Sequence, residues 1–174
     1  KSYKLVLLKC MIMNMNRVGW AEKSKVVSEF SDFYLQRRKQ GFESEIGVDR
    51  RIACIENSSQ NDVLAVIKSN PYNAIHTKGF LNLTKGTDGN ECFAFSEQLI
   101  TELDSDDYIE IIRIIDAKLK LYFSQTEGIQ CDAATNKTKT LGVKKVIDPF
   151  EKFRRRIVRE FPKKKFIGDI AVND

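Results

Sequence analysis

The sequence predicts an α+β, helix-rich fold, and three observations point there. Apolar residues recur at three- and four-residue steps through several segments, the spacing that gathers side chains on one helix face. Two short β-type runs, at 80–83 and 91–95, flank an Asp88-Gly89 turn signal. Hydrophobic residues make up 42% of the 174-residue chain and charged residues 30%, with eleven Phe. That is enough apolar bulk for a core, and the charge is too evenly signed for a disordered polyelectrolyte.

The elements follow in order. Leu5, Leu8, Ile12 and Met15 predict a helix over residues 3–15, and its other positions are apolar too, which marks a core element. Asn14, Asn16 and Gly19 break it, and residues 17–21 read as a short extended connection. A second helix is expected over 24–40, with Ser24 as N-cap and Val26, Val27, Phe30, Phe33 and Tyr34 as its inner side. Gly41 ends it, and Arg37, Arg38 and Lys39 in the last turn suit the helix dipole. Residues 42–57 are weakly patterned, with 50–55 as the ordered part.

Val63, Leu64, Val66 and Ile67 make a short helix that Pro71 should stop near Asn70, because a proline disfavours helical geometry just before it. Tyr72 and Ile75 anchor the turn that follows. The two β-type runs then form a hairpin, in which Asp88-Gly89 supplies the positive backbone angles of the turn and Phe93 and Phe95 share one face. Ser96 caps a helix through Leu103. Asp104, Asp106 and Asp107 sit where a helix start favours acidic groups, and a long helix follows over 108–123 with Ile111, Ile112, Ile115, Leu119 and Tyr122 inward.

Residues 126–143 are polar and read as a linker or long loop. Beyond them, Asp148 as N-cap and Pro149 at the first helical position start a last helix, closed by Pro162 and Lys163-Lys164-Lys165. The expected organisation is therefore a winged-helix-like α+β domain over 1–125 with one β-hairpin as its wing, the 126–143 linker, and a basic amphipathic helical extension over 144–174.

Charge is unevenly placed. Residues 144–174 hold ten basic and five acidic side chains, a surplus that equals the net charge of +5 for the whole chain. On the last helix, Phe150, Phe153, Ile157 and Phe161 step along one side, leaving Lys152, Arg155, Arg156 and Arg159 off it. Such a helix can dock through its Phe stripe and hold a basic face toward phosphates. The candidate nucleic-acid contacts are Arg154, Arg155, Arg156, Arg159, Lys163, Lys164 and Lys165, joined by Arg37, Arg38 and the wing's Lys85. A solvated face, an acidic partner protein or an anionic membrane surface would suit the same pattern. Dipole compensation alone accounts for Arg37 and Arg38.

Chemistry-bearing motifs are absent. There is no G-x-x-x-x-G-K-[ST] loop and no G-x-S-x-G elbow. Cys10, Cys54, Cys92 and Cys131 are far apart and His76 is the one histidine, so neither a metal site nor a cofactor is expected. The cysteines read as small buried thiols of a cytoplasmic protein. No segment is apolar for the length of a membrane span. The expectation drawn from Lys1, in place of Met, is a domain taken from a longer polypeptide.

One set of residues carries a resemblance. Tyr3-Lys4-Leu5-Val6-Leu7-Leu8-Lys9, Phe30-Ser31-Asp32-Phe33-Tyr34 with Arg37 and Gly41, Ile67-x-x-Asn70-Pro71-Tyr72, Gly79-Phe80, Phe93-Ala94-Phe95, Leu119 and Tyr122-Phe123 together resemble an accessory module of bacterial restriction and phage-defence proteins. That module is typically attached to a superfamily-2 helicase or a nuclease domain. The resemblance spans about residues 3–124 and implies a DNA-handling context, DNA before RNA, with a helicase or nuclease domain as partner and no catalytic residue in this chain. Two other readings stay open: a protein-interaction module docking through the Phe stripe, and a metal-dependent nuclease built from scattered carboxylates.

Overall fold

A computed structural model describes residues 2–45, 49–126 and 149–162. Its centre is the helix α1 (Tyr3–Asn14), whose apolar residues point in almost every direction and so need neighbours on most sides. Val6, Leu7, Met11, Ile12 and Met15 are all at most 3% exposed. Asn14 turns its side-chain amide back to the Cys10 carbonyl at 2.8 Å, and Met15 is already extended. The Asn16 side chain then accepts from Val18 and Trp20 backbone N–H groups at 3.1 and 3.0 Å, folding a turn. Gly19 takes φ +75°, and a Cβ there would stand 2.3 Å from Ile100 Cδ1, so any other residue would be strained and would have to displace the Ile100 side chain.

The segment expected to be a plain connection is a strand, β1 (Trp20–Glu22). It pairs antiparallel with β3 (Glu91–Phe95), Trp20 opposite Ala94 and Glu22 opposite Cys92. Three residues are too few to show alternation, and the free edge of the hairpin is what recruits them. The other side of β3 pairs with β2 (Leu81–Lys85), so the sheet order is β1-β3-β2. Gly89 at φ +80° makes the hairpin turn as expected.

Because β1 holds the backbone extended through Glu22, helix α2 (Lys23–Lys39) starts directly after it. Ser24 is therefore not its N-cap; its hydroxyl donates to the Glu22 carboxylate instead. The far end behaves as expected. Gly41 has φ +85°, the Phe42 N–H returns to the Arg37 carbonyl at 3.0 Å and the Gly41 N–H to the Arg38 carbonyl at 3.0 Å. This double closure satisfies carbonyls that a helix end leaves open.

Two short helices, α3 (Arg50–Ala53) and α4 (Gln60–Ile67), come next, the second opened by reciprocal Ser59–Asp62 capping bonds. The stop expected at Pro71 does not occur. The helical path widens into one π-type turn, Lys68–Tyr72, with Pro71 inside it, and continues as α5 (Asn73–His76). A wider turn relieves the clash between the proline ring and the preceding turn's carbonyl, and Pro71 is buried.

Ser96 caps α6 (Glu97–Glu102) as expected. Helix α7 (Ser105–Thr126) starts earlier than the apolar spacing implied. Asp104 accepts from the Asp106 and Asp107 N–H groups at 2.8 and 3.2 Å, while Asp107 accepts from the Asp104 N–H at 2.9 Å. The acidic cluster is thus a reciprocal cap. Helix α8 (Pro149–Glu160) packs on α7, where Phe161 meets Tyr108 edge-on at 5.0 Å between ring centroids. Its Phe153, Ile157 and Phe161 join the same core as α1. Asp148 and most of the 126–143 linker lie outside the described residues.

The described residues form an α+β, helix-rich fold with one small antiparallel sheet. Among the described residues no helix is long and apolar enough to cross a membrane.

Candidate nucleic-acid interface

Helix α8 has two unlike sides. Phe153, Ile157 and Phe161 are at most 6% exposed, while Lys152, Arg154, Arg155, Val158 and Arg159 face out. Docking through the apolar side gives the cations a fixed geometry, since the helix cannot roll without exposing two aromatic rings. Glu151 lies among them, 3.1 Å from Arg155 and 3.9 Å from Arg154, and Glu160 is 3.4 Å from Arg159. These pairs are exposed, so they are worth little and exchange readily for another anion.

Arg156, one of the expected phosphate contacts, does something else. Its Nη1 donates to the Met15 carbonyl at 2.7 Å, and its Nη2 donates to the Ile12 and Met13 carbonyls at 3.1 and 2.9 Å. It closes the C-terminus of α1, where the helix leaves carbonyls without partners and places negative potential. Burial draws its pKa below the ordinary arginine value, yet a guanidinium stays charged. The cause is tertiary: of the two edges of the buried stripe, the one that carries Arg156 meets the end of α1.

A groove of about 520 Å³ runs between α8 and the α1–α2 pair. Lys152, Arg155 and Arg159 line it from α8, Met13 from α1 and Glu29 from α2. The Glu29 carboxylate is engaged by the Asn14 amide at 2.6 Å. The groove is thus bordered by three exposed cations and one hydrogen-bonded carboxylate, a balance that favours an anion. Lys152 belongs with Arg155 and Arg159 by helical spacing. Met13 and Glu29 carried no sequence signal, lying more than a hundred residues away.

The second expected cluster does not assemble. Lys85 lies opposite Glu91 at the hairpin end, and Glu91 is ion-paired with Lys23 at the start of α2. Arg37 and Arg38 stand near the other end of that 17-residue helix, roughly 20 Å away at 1.5 Å per residue. Arg37 lies flat on Phe123, 3.4 Å from its centroid, and donates to the Glu43 carbonyl at 3.3 Å. Arg38 pairs with Glu56 at 3.5 Å. Arg37 is thereby held at the helix end against its neighbours, whereas the exposed Arg38–Glu56 pair is worth as little as those on α8. Lys163, Lys164 and Lys165 lie outside the described residues.

Other reactive groups are accounted for. His76 Nδ1 stands 2.8 Å from the Leu81 carbonyl and its ring stacks on Tyr72. Cys10 and Cys92 are buried thiols, and burial raises both pKa values. Cys54 is exposed, contrary to expectation, because it ends the four-residue α3 where the chain turns over the surface. Among the described residues no group of three or more His, Cys, Asp or Glu side chains is placed to hold a metal ion. No family model matches the chain, and comparison with curated proteins and with solved structures finds no match.

Proposed function

We propose that this chain is a non-catalytic accessory module that binds the phosphate backbone of nucleic acid, DNA before RNA, through the outward side of α8 and the groove beside it. The observation that carries the reading is the locked orientation of α8. Its Phe153, Ile157 and Phe161 are held in the core while Lys152, Arg155 and Arg159 stay exposed along the groove and Arg154 is exposed on the other flank of the helix. Fixed cations on a rigid element lose little freedom on meeting a polyanion, and they release the counterions that accompany it. The Phe stripe is taken up by the chain's own core, which weighs against its docking into another protein.

The element order supports a winged-helix-like reading: a helix, a short strand, further helices and a hairpin whose sheet the short strand completes. In that reading the hairpin ending in Lys85 is the wing. The restriction or phage-defence setting, in the cytoplasm beside a helicase or nuclease domain, rests on the resemblance of residues 3–124 alone.

Fluorescence anisotropy with labelled duplex and single-stranded oligonucleotides, titrated at low and moderate salt, tests the proposal. Binding that weakens steeply as salt rises is expected. Absence of binding to either at low salt would overturn it.

A further inference from the structure

Leu8 and Ile12 of α1 face a second, mainly apolar trough. One cavity of about 150 Å³ is walled by Leu8, Ile12, Phe95, Leu99, Leu103 and Ile111, with Tyr108 at its margin. A second, of about 220 Å³, shares Leu8, Phe95 and Leu99 with it and runs on toward Ile75 and Phe80. Phe80 is 45% exposed, a large area for an aromatic ring to leave in water.

Three features say what fits this trough. The last described residues of the chain end beside it: Phe161 packs on Tyr108 at 5.0 Å, and Arg156 donates to the carbonyl of Ile12, itself a trough residue. Acidic residues adjoin the trough at its Tyr108 end, Glu102 beside Leu103 and Asp106 and Asp107 just before Tyr108, while two cations, Lys4 and Lys78, line the far end by Phe80. The sequence after Pro162 is Lys163-Lys164-Lys165-Phe166-Ile167, followed by Ile170 and Val172. In sequence order three cations come first and apolar residues follow, matching an acidic corner that leads into an apolar trough.

We infer that the trough between α1, α6 and α7 is a docking site for residues 163–172 of this chain, an apolar segment introduced by a lysine cluster. Four residues can span at most about 13 Å, so a segment starting at Pro162 is long enough to leave the Phe161–Tyr108 contact and meet the trough. Covering the trough removes apolar surface on both sides from water. The lysines set direction and register against the acidic corner through interactions that salt screens. The inference stands apart from nucleic-acid binding. It assigns Lys163, Lys164 and Lys165 to the chain's own acidic corner, leaving phosphate contacts to α8.

Hydrogen exchange on the full chain, with and without the double substitution Phe166→Asp and Ile167→Asp, tests it. Amides of α6 should exchange roughly tenfold faster in the variant while those of α2 are unchanged. Binding of an apolar dye should rise in parallel, and a synthetic peptide of residues 163–174 should reverse both effects. The charge-reversed variant Lys163→Glu, Lys164→Glu, Lys165→Glu keeps the apolar residues and should give a smaller shift in the same direction, erased at high salt. Equal α6 exchange in the parent and both variants would overturn the inference. Protection of α6 that grows with protein concentration would overturn it too, because a second copy would then be the occupant.

Discussion

The guanidinium of Arg156 donates to the backbone oxygen of Met15 at 2.7 Å, so a residue near the end of the chain closes its first helix. Two more carbonyls, of Ile12 and Met13, share the same side chain. This contact separates Arg156 from its neighbours Arg155 and Arg159, which face solvent.

Stability should therefore distinguish the arginines. Arg156→Ala removes the partner of three carbonyls at a half-buried helix end, where a hydrogen bond to a charged group contributes about 1.5–3 kcal/mol net and water can replace part of the loss. A net loss of about 2–4 kcal/mol is expected in urea denaturation. Arg156→Lys should recover only part of it, since an ammonium cannot reproduce the planar fork. Arg155→Ala should change stability by less than about 0.5 kcal/mol. Equal effects at the two positions would mean that Arg156 does not cap α1.

Binding should divide the same residues the other way. Removing Arg155 and Arg159 together should weaken affinity for all nucleic-acid sequences alike. It should also make the slope of log affinity against log salt shallower by about 0.9 for each lost duplex contact. Phe153→Ala and Ile157→Ala should instead destabilise the fold by about 2–5 kcal/mol each, through buried volume removed. A salt slope left unchanged in a folded Arg155→Ala, Arg159→Ala protein would leave α8 without the role assigned to it.

Alkaline pH should loosen the core. Burial pushes Tyr3 and Tyr108 up to about 12 from the ordinary 10.0, with the Glu45 charge adding to the shift at Tyr3 and that of Asp107 at Tyr108. Burial also holds Tyr34 and Tyr122 above their ordinary values. In the unfolded chain these phenols ionise near 10, so above that pH the folded state binds more protons than the unfolded one. Their contribution is intact below pH 10 and is lost as pH rises toward 12 and beyond. Urea midpoints measured from pH 8 to 12 should be level up to about 10 and then fall. Tyr108→Phe should blunt the fall at little cost at neutral pH, because its hydroxyl has no hydrogen-bond partner among the described residues. Midpoints that stay flat to pH 12 would contradict the burial of these rings.

Local signals were legible where short-range chemistry decides. Gly41 after Arg37-Arg38-Lys39, the Asp104–Asp107 cluster and the Asp88-Gly89 turn each act over a few residues, and each does what its residue types imply. The inward stripe of α8 was legible for the same reason, since three- and four-residue spacing alone sets which side chains share a face. The same spacing was not fine enough to separate Arg156 from Arg155. That depends on which edge of the stripe meets the end of α1.

Glu45 shows the other limit. Nothing near it in sequence marks a buried carboxylate, yet it is 2% exposed and accepts from the Ser2 backbone N–H at 2.8 Å, the Ser2 hydroxyl and the Tyr122 hydroxyl. Its partners come from opposite ends of the domain. No window of sequence contains them together.

The sequence by itself determined most of the helices, the hairpin, the caps at Ser96 and Asp104, the Gly41 stop and the concentration of positive charge after residue 143, because propensity, periodicity and charge are carried by neighbouring residues; it misplaced the start of α2 and the stop at Pro71. Only the tertiary structure decided that β1 completes the sheet, that Arg37 is held on Phe123 and that Arg156 closes α1. Each of these satisfies a backbone edge, a ring face or a helix end with a group distant in the chain. An unpaired buried polar group is costly wherever its partner comes from, so folding recruits whichever side chain the packing brings within reach.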